Sequence, residues 1–231
     1  MNIPQHVGVI IDGNRRWAVK RGLPKFEGHR YGLETLKKLL RAVISRGIPV
    51  VSIFIFSTEN WRRTSEEVST FMALIKNAFR DNLEWLKGEG VQVRISGRLT
   101  DFSDDVRAIF REVVAATKDN TKLIANFCLS YGGREEITEM AKRVAADTKG
   151  DPHAIAAITE ETVARHLYTA GLPDVDLLVR TGGERRLSGF LPWQSIYAEL
   201  YFTDTLWPDF TEEELDRALE FFSTRKRNFG A

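Results

Sequence analysis

Short apolar runs alternate with amphipathic helical segments along the whole chain. The apolar runs lie near 6–11, 50–56, 91–95, 122–129, 175–179 and, more weakly, 198–202. The segments between them place apolar residues three and four positions apart, which is the spacing of one helix face. Helices between consecutive strands favour a parallel sheet, and right-handed crossovers bring the strand carboxyl ends to one edge. The sequence therefore predicts an α/β fold, with a single domain over 1–231 and a mostly parallel central β-sheet of about six strands flanked by helices.

The segment 66–88 is unusually rich in bulky apolar residues. Their spacing predicts one long helix that ends near Gly88 and Gly90. Packing against the sheet explains most of these positions. The alternative is that part of this helix face lines an apolar channel.

Three predicted strands run directly into clusters of polar and glycine residues. The clusters lie at 12–17, 57–63 and 180–188. Ligands of open α/β sheets bind just beyond the carboxyl ends of the strands, so neighbouring parallel strands would bring the clusters into one cleft. Carboxylate, guanidinium, hydroxyl and backbone N–H groups would converge there. We interpret the clusters as an active site for a phosphate-bearing substrate.

The residue types of the first cluster suit a diphosphate. Gly13 lets the backbone approach a ligand, and Asn14 with the following N–H groups can hold an anion where a helix begins. Arg16 can bind phosphate through two hydrogen bonds. Asp12 alone fits a helix cap as well as a metal ligand, but an acidic residue among phosphate-binding groups indicates Mg²⁺. By itself, His29 fits a surface or capping histidine as well as it fits a phosphate-binding one.

The third cluster has the composition of an anion-binding loop. Its glycines expose N–H groups, while Arg180, Arg186 and Ser188 can converge on one phosphate. Charge-assisted bonds of about 1.5–3 kcal/mol each could together hold a diphosphate with micromolar strength. Two separate solvated arginine turns are the alternative.

Composition excludes several functions. Lys+Arg 33 and Asp+Glu 32 leave a net charge of +1, which disfavours nucleic-acid binding through a basic surface. The single cysteine, Cys128, excludes an intramolecular disulfide and fits a buried thiol in the reducing cytosol. We see no signal peptide, and the longest apolar run is too short to span a bilayer. These features predict a cytoplasmic protein; transient membrane contact remains compatible with them.

The absence of familiar motifs narrows the chemistry further. The sequence has no P-loop, no strand followed by Gly-x-Gly-x-x-Gly, no Cys/His set with zinc spacing and no Gly-x-Ser-x-Gly. A P-loop kinase, a dinucleotide-dependent enzyme and a hydrolase of the serine type are therefore disfavoured. Asp104-Asp105 is followed by Val-Arg-Ala, which excludes the Asp-Asp-x-x-Asp motif of trans-type prenyltransferases.

Several motifs together resemble one known family. They are Asp-Gly-Asn-x-Arg-Trp-Ala at 12–18, Gly-His-x-x-Gly at 28–32, Phe-Ser-x-Glu-Asn-Trp at 56–61, Tyr-Gly-Gly-Arg at 131–134, Arg-Thr-Gly-Gly-Glu at 180–184, Ala-Glu-Leu-Tyr-Phe-Thr at 198–203 and Arg-x-Phe-Gly at 227–230. Their order and combination resemble the cis-prenyltransferases, typified by undecaprenyl diphosphate synthase. The resemblance implies a homodimer with an apolar substrate tunnel. It also implies condensation of isopentenyl diphosphate with an allylic diphosphate, with Mg²⁺, to give a cis double bond.

The resemblance also assigns roles to residues. Asp12 and Asn60 are the expected catalytic residues, and Asp12 and Glu199 the expected Mg²⁺ ligands. The expected allylic site comprises Gly13, Asn14, Arg15, Arg16, Trp17, Lys25 and His29. Ser57, Thr58, Glu59, Trp61 and Arg63 are expected to face the reacting centre, and Arg180, Arg186, Leu187 and Ser188 to bind isopentenyl diphosphate.

A few positions depart from the family pattern. Lys25, Thr64, Ser130 and Arg185 stand where members often carry Arg, Pro, Asn and His, respectively. These changes leave the preferred allylic substrate open.

Bulky residues at the end of the second strand bear on product length. The position of Ile55 is often small in long-chain synthases, so we expect a product shorter than C55, in the range C10 to C35, or a branched product. Because neighbouring strand residues point to opposite faces, only one of Ile55 and Phe56 is expected to face the tunnel. Phe127 and Cys128 also stand where smaller or different apolar residues are frequent.

Two other functions compete with this interpretation. A non-catalytic scaffold like the family's accessory subunits would lack the Asp-Gly-Asn motif, which is intact here. An unrelated phosphatase or phosphotransferase on an α/β sheet would release phosphate without chain growth.

Overall fold

The computed structural model describes residues 2–225, and a parallel sheet of six strands runs through them. The strands are β1 His6–Ile10, β2 Val50–Ser57, β3 Val91–Ser96, β4 Leu123–Tyr131, β5 Leu177–Arg180 and β6 Glu199–Phe202. Their order across the sheet is β3-β4-β2-β1-β5-β6, and every pair is parallel. All six predicted strands are confirmed. The Arg-x-Phe-Gly motif at 227–230 lies outside the described residues.

In the described part of the chain nine α-helices lie between or after these strands. They are α1 Asn14–Lys20, α2 Glu27–Ser45, α3 Ser65–Asp81, α4 Leu83–Gly88, α5 Asp104–Thr117, α6 Gly133–Thr148, α7 Pro152–Ala156, α8 Glu160–His166 and α9 Glu212–Ser223. Within residues 2–225 no helix combines the length and the apolar composition that a bilayer span requires.

The two faces of the sheet are covered differently. Helices α2, α3, α4, α5 and α9 contribute their apolar residues to one large core on the first face, which we call the helix face. A smaller apolar cluster forms on the other face, which we call the second face, around Leu178, Phe190 and Leu191. Cys128 belongs to this second cluster and is fully buried, as predicted, and burial raises the pKa of its thiol.

The helix predicted over 66–88 is in fact two helices. Asn82 leaves helical geometry, with φ −109° and ψ 8°, and its side-chain amide donates to the Ala78 carbonyl at 2.7 Å. This side chain competes with the helical hydrogen bonds, as asparagine commonly does. The apolar spacing still continues across the break, so the periodicity alone did not reveal it.

A β-bulge alters the end of β2. Phe54 pairs with Cys128 and Phe56 with Leu129, so Ile55 is skipped in the pairing with β4. A bulge adds one residue to one strand and disturbs the alternation of side chains. Ile55 and Phe56 consequently both pack into the core of the helix face. The expectation that only one of them faces this side is therefore wrong.

Candidate functional site

One cavity of about 570 Å³ lies between the helix face of the sheet and helices α2, α3 and α4. Its polar end lies at the carboxyl edge of the sheet. Eleven of the predicted site residues line it: Asp12, Gly13, Asn14, Arg15, Arg16, His29, Ser57, Asn60, Arg63, Arg180 and Ser188. The three strand-end clusters thus meet in one place, as the sequence predicted.

Asp12 lies between two arginines at the polar end. Its Oδ1 is 3.3 Å from Arg16 Nη2, and its Oδ2 accepts from Arg180 Nη2 at 3.0 Å. Its backbone carbonyl accepts from the Thr181 hydroxyl at 2.7 Å and from the Trp207 amide at 3.0 Å. Contacts from separate segments therefore fix both the main chain and the carboxylate of Asp12.

Arg180 organises the loop that follows β5. Its side chain is 5 % exposed, and Nη1 donates to the Arg186 carbonyl and, at 2.9 Å, to Ser188 Oγ. Arg180 Nε is buried, and it has no hydrogen-bond partner among residues 2–225. Gly182 has φ +85°, and a Cβ there would lie 2.6 Å from Arg16 Nη2. The absence of a side chain at this position therefore leaves space for the Arg16 guanidinium.

The Gly-His-x-x-Gly motif works through its glycines as well as its histidine. A Cβ at Gly28 would lie 1.9 Å from the Asn14 carbonyl oxygen, and a Cβ at Gly32 would lie 2.2 Å from Asn14 Oδ1. The two glycines therefore let α2 pack directly against the start of α1. This close approach brings His29, on the same turn of α2, into the lining of the cavity.

His29 is neutral at neutral pH. Burial, followed by the charges of Arg63 and Arg15, lowers the pKa of its imidazole from 6.5 to about 4. Its ring packs edge-on against Phe71, with centroids 5.0 Å apart. Burial and Arg15 also lower the pKa of Arg63. Arg15 and Arg63 repel each other, and an anion bound between them would relieve this repulsion.

The loop after β2 turns its residues in two directions. Asn60 Oδ1 accepts from the Ser57 amide at 3.2 Å, which closes the turn, and Asn60 itself lines the cavity. Trp61 turns away, because its indole N–H donates to Ser130 Oγ at 2.8 Å. Thr58, Glu59 and Trp61 instead line a separate polar cleft.

The remaining predicted residues also lie outside the cavity lining. Trp17 is buried and donates to Asp209 Oδ1 at 2.7 Å, and Lys25 is exposed. Leu187 packs against the apolar cluster of the second face, and the Arg186 guanidinium pairs with Glu184 at 2.5 Å.

Glu199 is not brought to Asp12 within this chain. It begins β6 level with Leu177, whereas Arg180, the neighbour of Asp12, is level with Phe202. The Glu199 carboxylate lies 3.8 Å from Arg225 Nε. Its role as a metal ligand stays a prediction.

Sequence reasoning did not assign Lys37, Asn82 and Trp85 to the cavity, although all three line it. The signal was available, because Asn82 and Trp85 continue the helical spacing that begins at Phe71. A search for apolar residues missed them, because Lys37 and Asn82 are polar and Trp85 combines an apolar ring with an N–H group.

The polar end suits a Mg²⁺ ion only in company with a substrate. Among the described residues no group of three or more His, Cys, Asp or Glu side chains could hold a metal ion. Mg²⁺ is commonly bound by one or two carboxylates together with substrate phosphates. Asp12, flanked by Arg16 and Arg180, offers one carboxylate beside two phosphate-binding groups, and this donor set fits.

Comparison with known proteins gives consistent results. Residues 10–230 match a prenyltransferase family described as putative undecaprenyl diphosphate synthase. The chain is 46% identical over 228 residues to an isoprenyl transferase of Halalkalibacterium halodurans, covering 99% of this chain and 89% of the relative. It is 43% identical to a trans,polycis-polyprenyl diphosphate synthase of Thermobifida fusca, specific for (2Z,6E)-farnesyl diphosphate, covering 99% of this chain and 81% of the relative.

Two solved structures are similar in fold. Lavandulyl diphosphate synthase from Lavandula x intermedia, in complex with dimethylallyl diphosphate, superposes with a TM-score of 0.93 at 33% identity, covering 99% of this chain and 98% of that one. A probable undecaprenyl diphosphate synthase from Campylobacter jejuni gives a TM-score of 0.83 at 35% identity, with both chains covered completely.

Proposed function

The chain belongs to the cis-prenyltransferase family and is an isoprenyl transferase, and from this premise we propose that it condenses isopentenyl diphosphate with an allylic diphosphate in a Mg²⁺-dependent reaction. The product is a prenyl diphosphate with a new Z double bond. The observation that carries this proposal is Asp12 between Arg16 and Arg180 at the polar end of an otherwise largely apolar cavity.

The polar end supports binding of two diphosphates side by side. Arg15, Arg16 and His29, with the N–H groups at the start of α1, are proposed to hold the allylic diphosphate. Arg180 and Ser188, which already share a hydrogen bond, are proposed to hold isopentenyl diphosphate with Arg186. Guanidinium and N–H groups in fixed positions stabilise the negative charge that develops as the allylic diphosphate leaves.

Asn60 is proposed to orient the isopentenyl group. An amide is a poor base, and its Oδ1 already accepts from the Ser57 amide. The side-chain NH₂ would donate a hydrogen bond to the substrate, and the proton lost in the condensation would pass to a phosphate oxygen. Mg²⁺, held by Asp12 and the diphosphates, would supply Lewis-acid stabilisation of the leaving group.

The apolar part of the cavity is proposed to be the tunnel that receives the hydrocarbon. Burial of each methylene contributes about 0.8 kcal/mol, so the tunnel draws the growing chain inward. Ile55 and Phe56 both narrow the same wall because of the bulge in β2. This supports a product shorter than C55, within C10 to C35.

One alternative reaction has a specific observation in its favour. The TM-score of 0.93 relates this chain to an enzyme named for a lavandulyl product. A branched, non-elongating coupling of two C5 substrates is therefore a second candidate. The carbon skeleton of the C10 product made from C5 substrates alone would decide between them.

We further propose a homodimer. Ile196 is 72% exposed, Tyr197 63% and Leu200 39%, and these residues lie beside or on the edge strand β6. An exposed apolar surface of this kind supports a contact between two copies. Analytical ultracentrifugation of the wild type and of Ile196→Glu tests it. The cytoplasmic location and transient membrane contact for product release stay predictions.

The reaction is tested by incubating the protein with Mg²⁺, radiolabelled isopentenyl diphosphate and C5, C10 or C15 allylic diphosphates. Chromatography of the dephosphorylated products should show elongation of at least one primer. In the control reaction Mg²⁺ is left out and a chelator is added, and elongation should stop. Release of phosphate without chain growth would contradict the proposal and favour a phosphatase.

A further inference from the structure

The cavity has a second end, far from Asp12. Helix α2 runs from the carboxyl edge of the sheet, where β1 ends, to the amino edge, where β2 begins. Helices α3 and α4 run in the same direction between β2 and β3. His29 lies in the first turns of α2 and Leu40 eleven residues later, so the cavity extends about 16 Å along this helix. Its far end is therefore near the amino edge, beside α4.

The α3–α4 side of the cavity is one continuous stripe at helical spacing. Eight residues form it: Phe71, Leu74, Ile75, Ala78, Phe79, Asn82, Trp85 and Leu86. The middle of the stripe contains the small side chain of Ala78. The stripe ends at the bulkiest of these side chains, Trp85, with Leu86 buried next to it.

Trp85 is held in place from the solvent side. The Arg41 guanidinium lies over its ring, 5.4 Å from the centroid, and Arg41 Nε is 2.8 Å from Glu89 Oε1. A cation placed over an indole ring attracts it and restrains it. The ring is thus supported by Arg41, whose guanidinium is in turn held by Glu89.

The chemistry of the wall changes at the same place. Lys37, one turn before Arg41 on α2, and Asn82, three residues before Trp85, both line the cavity, and Lys37 Nζ is 3.0 Å from Glu34 Oε1. A hydrocarbon gains nothing by passing polar groups that are already paired. Polar groups therefore enter the lining within one helical turn of Trp85, in a wall that is apolar from Phe71 to Phe79.

We propose that Trp85, braced by Arg41, is the end wall that sets the maximum length of the product. This inference rests on the proposed elongation reaction and assigns its length specificity to a residue of α4. A packed wall yields little, so a chain that reaches the indole ring must either stop growing or displace it. Ile55 narrows the cavity near the strand end, whereas Trp85 closes it.

The test compares the product lengths of Trp85→Ala and the wild type, with Mg²⁺, labelled isopentenyl diphosphate and the best allylic primer. We expect the dominant product of Trp85→Ala to be longer by at least one C5 unit, and that of Trp85→Phe to shift less. Arg41→Ala, which frees the ring without removing it, should broaden the product distribution toward longer chains.

Leu83→Ala is the matched control. Leu83 is on the same helix and packs against the core, but it does not line the cavity. Its truncation loosens α4 without opening the wall, so its product length should equal that of the wild type. Thermal unfolding of each variant identifies any that fail to fold, and Trp85→Leu then replaces Trp85→Ala.

The outcomes separate the two proposals. If the wild type elongates no primer, the proposed function itself fails. If the wild type elongates and folded Trp85→Ala gives the same products, or if Leu83→Ala lengthens the product equally, Trp85 is not the end wall.

Discussion

The two faces of the sheet are built for different purposes. On the second face, Phe54 stacks on Phe190 with ring centroids 4.7 Å apart, and the surrounding side chains are buried. Even the buried carboxylate of Glu136 is fully occupied there, because it accepts from the Tyr131 hydroxyl and the Tyr168 amide. On the helix face the same strands border a cavity of about 570 Å³. Dense packing thus supports the fold on one face, while incomplete packing leaves an open cavity on the other.

The largest expected effect separates activity from stability at the open end of the cavity. Asp12→Ala should lower turnover by at least about 10²–10³-fold, because it removes the carboxylate that we propose faces the diphosphates and Mg²⁺. Cooperative unfolding should remain, since the backbone contacts of Asp12 do not involve its side chain. Turnover is measured at saturating Mg²⁺ for Asp12→Ala and for a second variant, Asp12→Asn, which keeps the size of the side chain but removes its charge. Near-wild-type product formation would refute the assignment.

The converse effect is expected on the second face. Leu178→Ala should lower the free energy of unfolding by about 2–5 kcal/mol, because Leu178 is completely buried and its truncation leaves a void. Urea denaturation measures the change. The product pattern of the folded variant should match the wild type, and an altered chain length would show that the two faces are not functionally separate.

Arg186 tests whether the loop after β5 binds isopentenyl diphosphate. Arg186→Ala should raise the KM for this substrate roughly tenfold, since a charge-assisted hydrogen bond contributes about 1.5–3 kcal/mol. The neighbouring exposed residue Arg185 supplies the control variant, Arg185→Ala, which should change KM much less. Equal KM values for Arg186→Ala and the wild type would place the homoallylic site elsewhere.

The neutral histidine in the cavity gives a pH dependence. In the unfolded chain His29 takes up a proton with a pKa of 6.5, but in the fold only at about 4. The unfolded state therefore binds more protons between these values, and stability falls as the pH drops through this window. Buried His6, whose pKa burial also lowers to about 4, acts in the same direction.

His29→Gln should remove part of this pH dependence. We expect the loss of unfolding free energy between pH 7 and pH 5 to shrink by about 1 kcal/mol, after allowance for the partial exposure of the ring. Urea denaturation at the two pH values measures it. His153→Gln, at an exposed position on α7, is the control. An unchanged pH dependence in His29→Gln would mean that His29 titrates normally in the fold.

The smallest effect concerns the bulge at the end of β2. Ile55→Ala should shift products toward longer chains, but by less than Trp85→Ala, because Ile55 narrows the cavity without ending it. Its stability cost should also be smaller than that of Leu178→Ala, since Ile55 already borders open space. Chromatography and urea denaturation measure the two changes. If product length stays the same, Ile55 does not limit elongation.

The polar end of the site could be predicted from the sequence because its residues follow the strands directly. Asp12, Ser57 and Arg180 lie at or just beyond the carboxyl ends of β1, β2 and β5. Strand–helix alternation predicts the parallel direction that brings these ends to one edge, whereas the structure shows that the three strands are neighbours. The family motifs then supplied roles that spacing alone left open.

The walls of the cavity were less accessible to sequence reasoning. The side of the sheet that Ile55 faces depends on a one-residue shift against β4, which local periodicity does not record. Trp85 reaches the cavity beyond a helix break that Asn82 introduces. Thr58, Glu59 and Trp61 share a motif with Asn60, yet the tight turn points them to another cleft. These features depend on tertiary pairing rather than on residue type.

The arginines around Asp12 also have a kinetic consequence. The chain as a whole carries a charge of only +1, so little long-range attraction draws a diphosphate from bulk solution. The local field of Arg15, Arg16, Arg63 and Arg180 acts within roughly 8 Å at physiological ionic strength. Substrates are therefore captured in the last step of approach, after diffusion has brought them to the cavity. The association rate should therefore respond weakly to charge changes elsewhere on the surface. It should respond strongly to ionic strength, because salt screens the arginines at the cavity entrance.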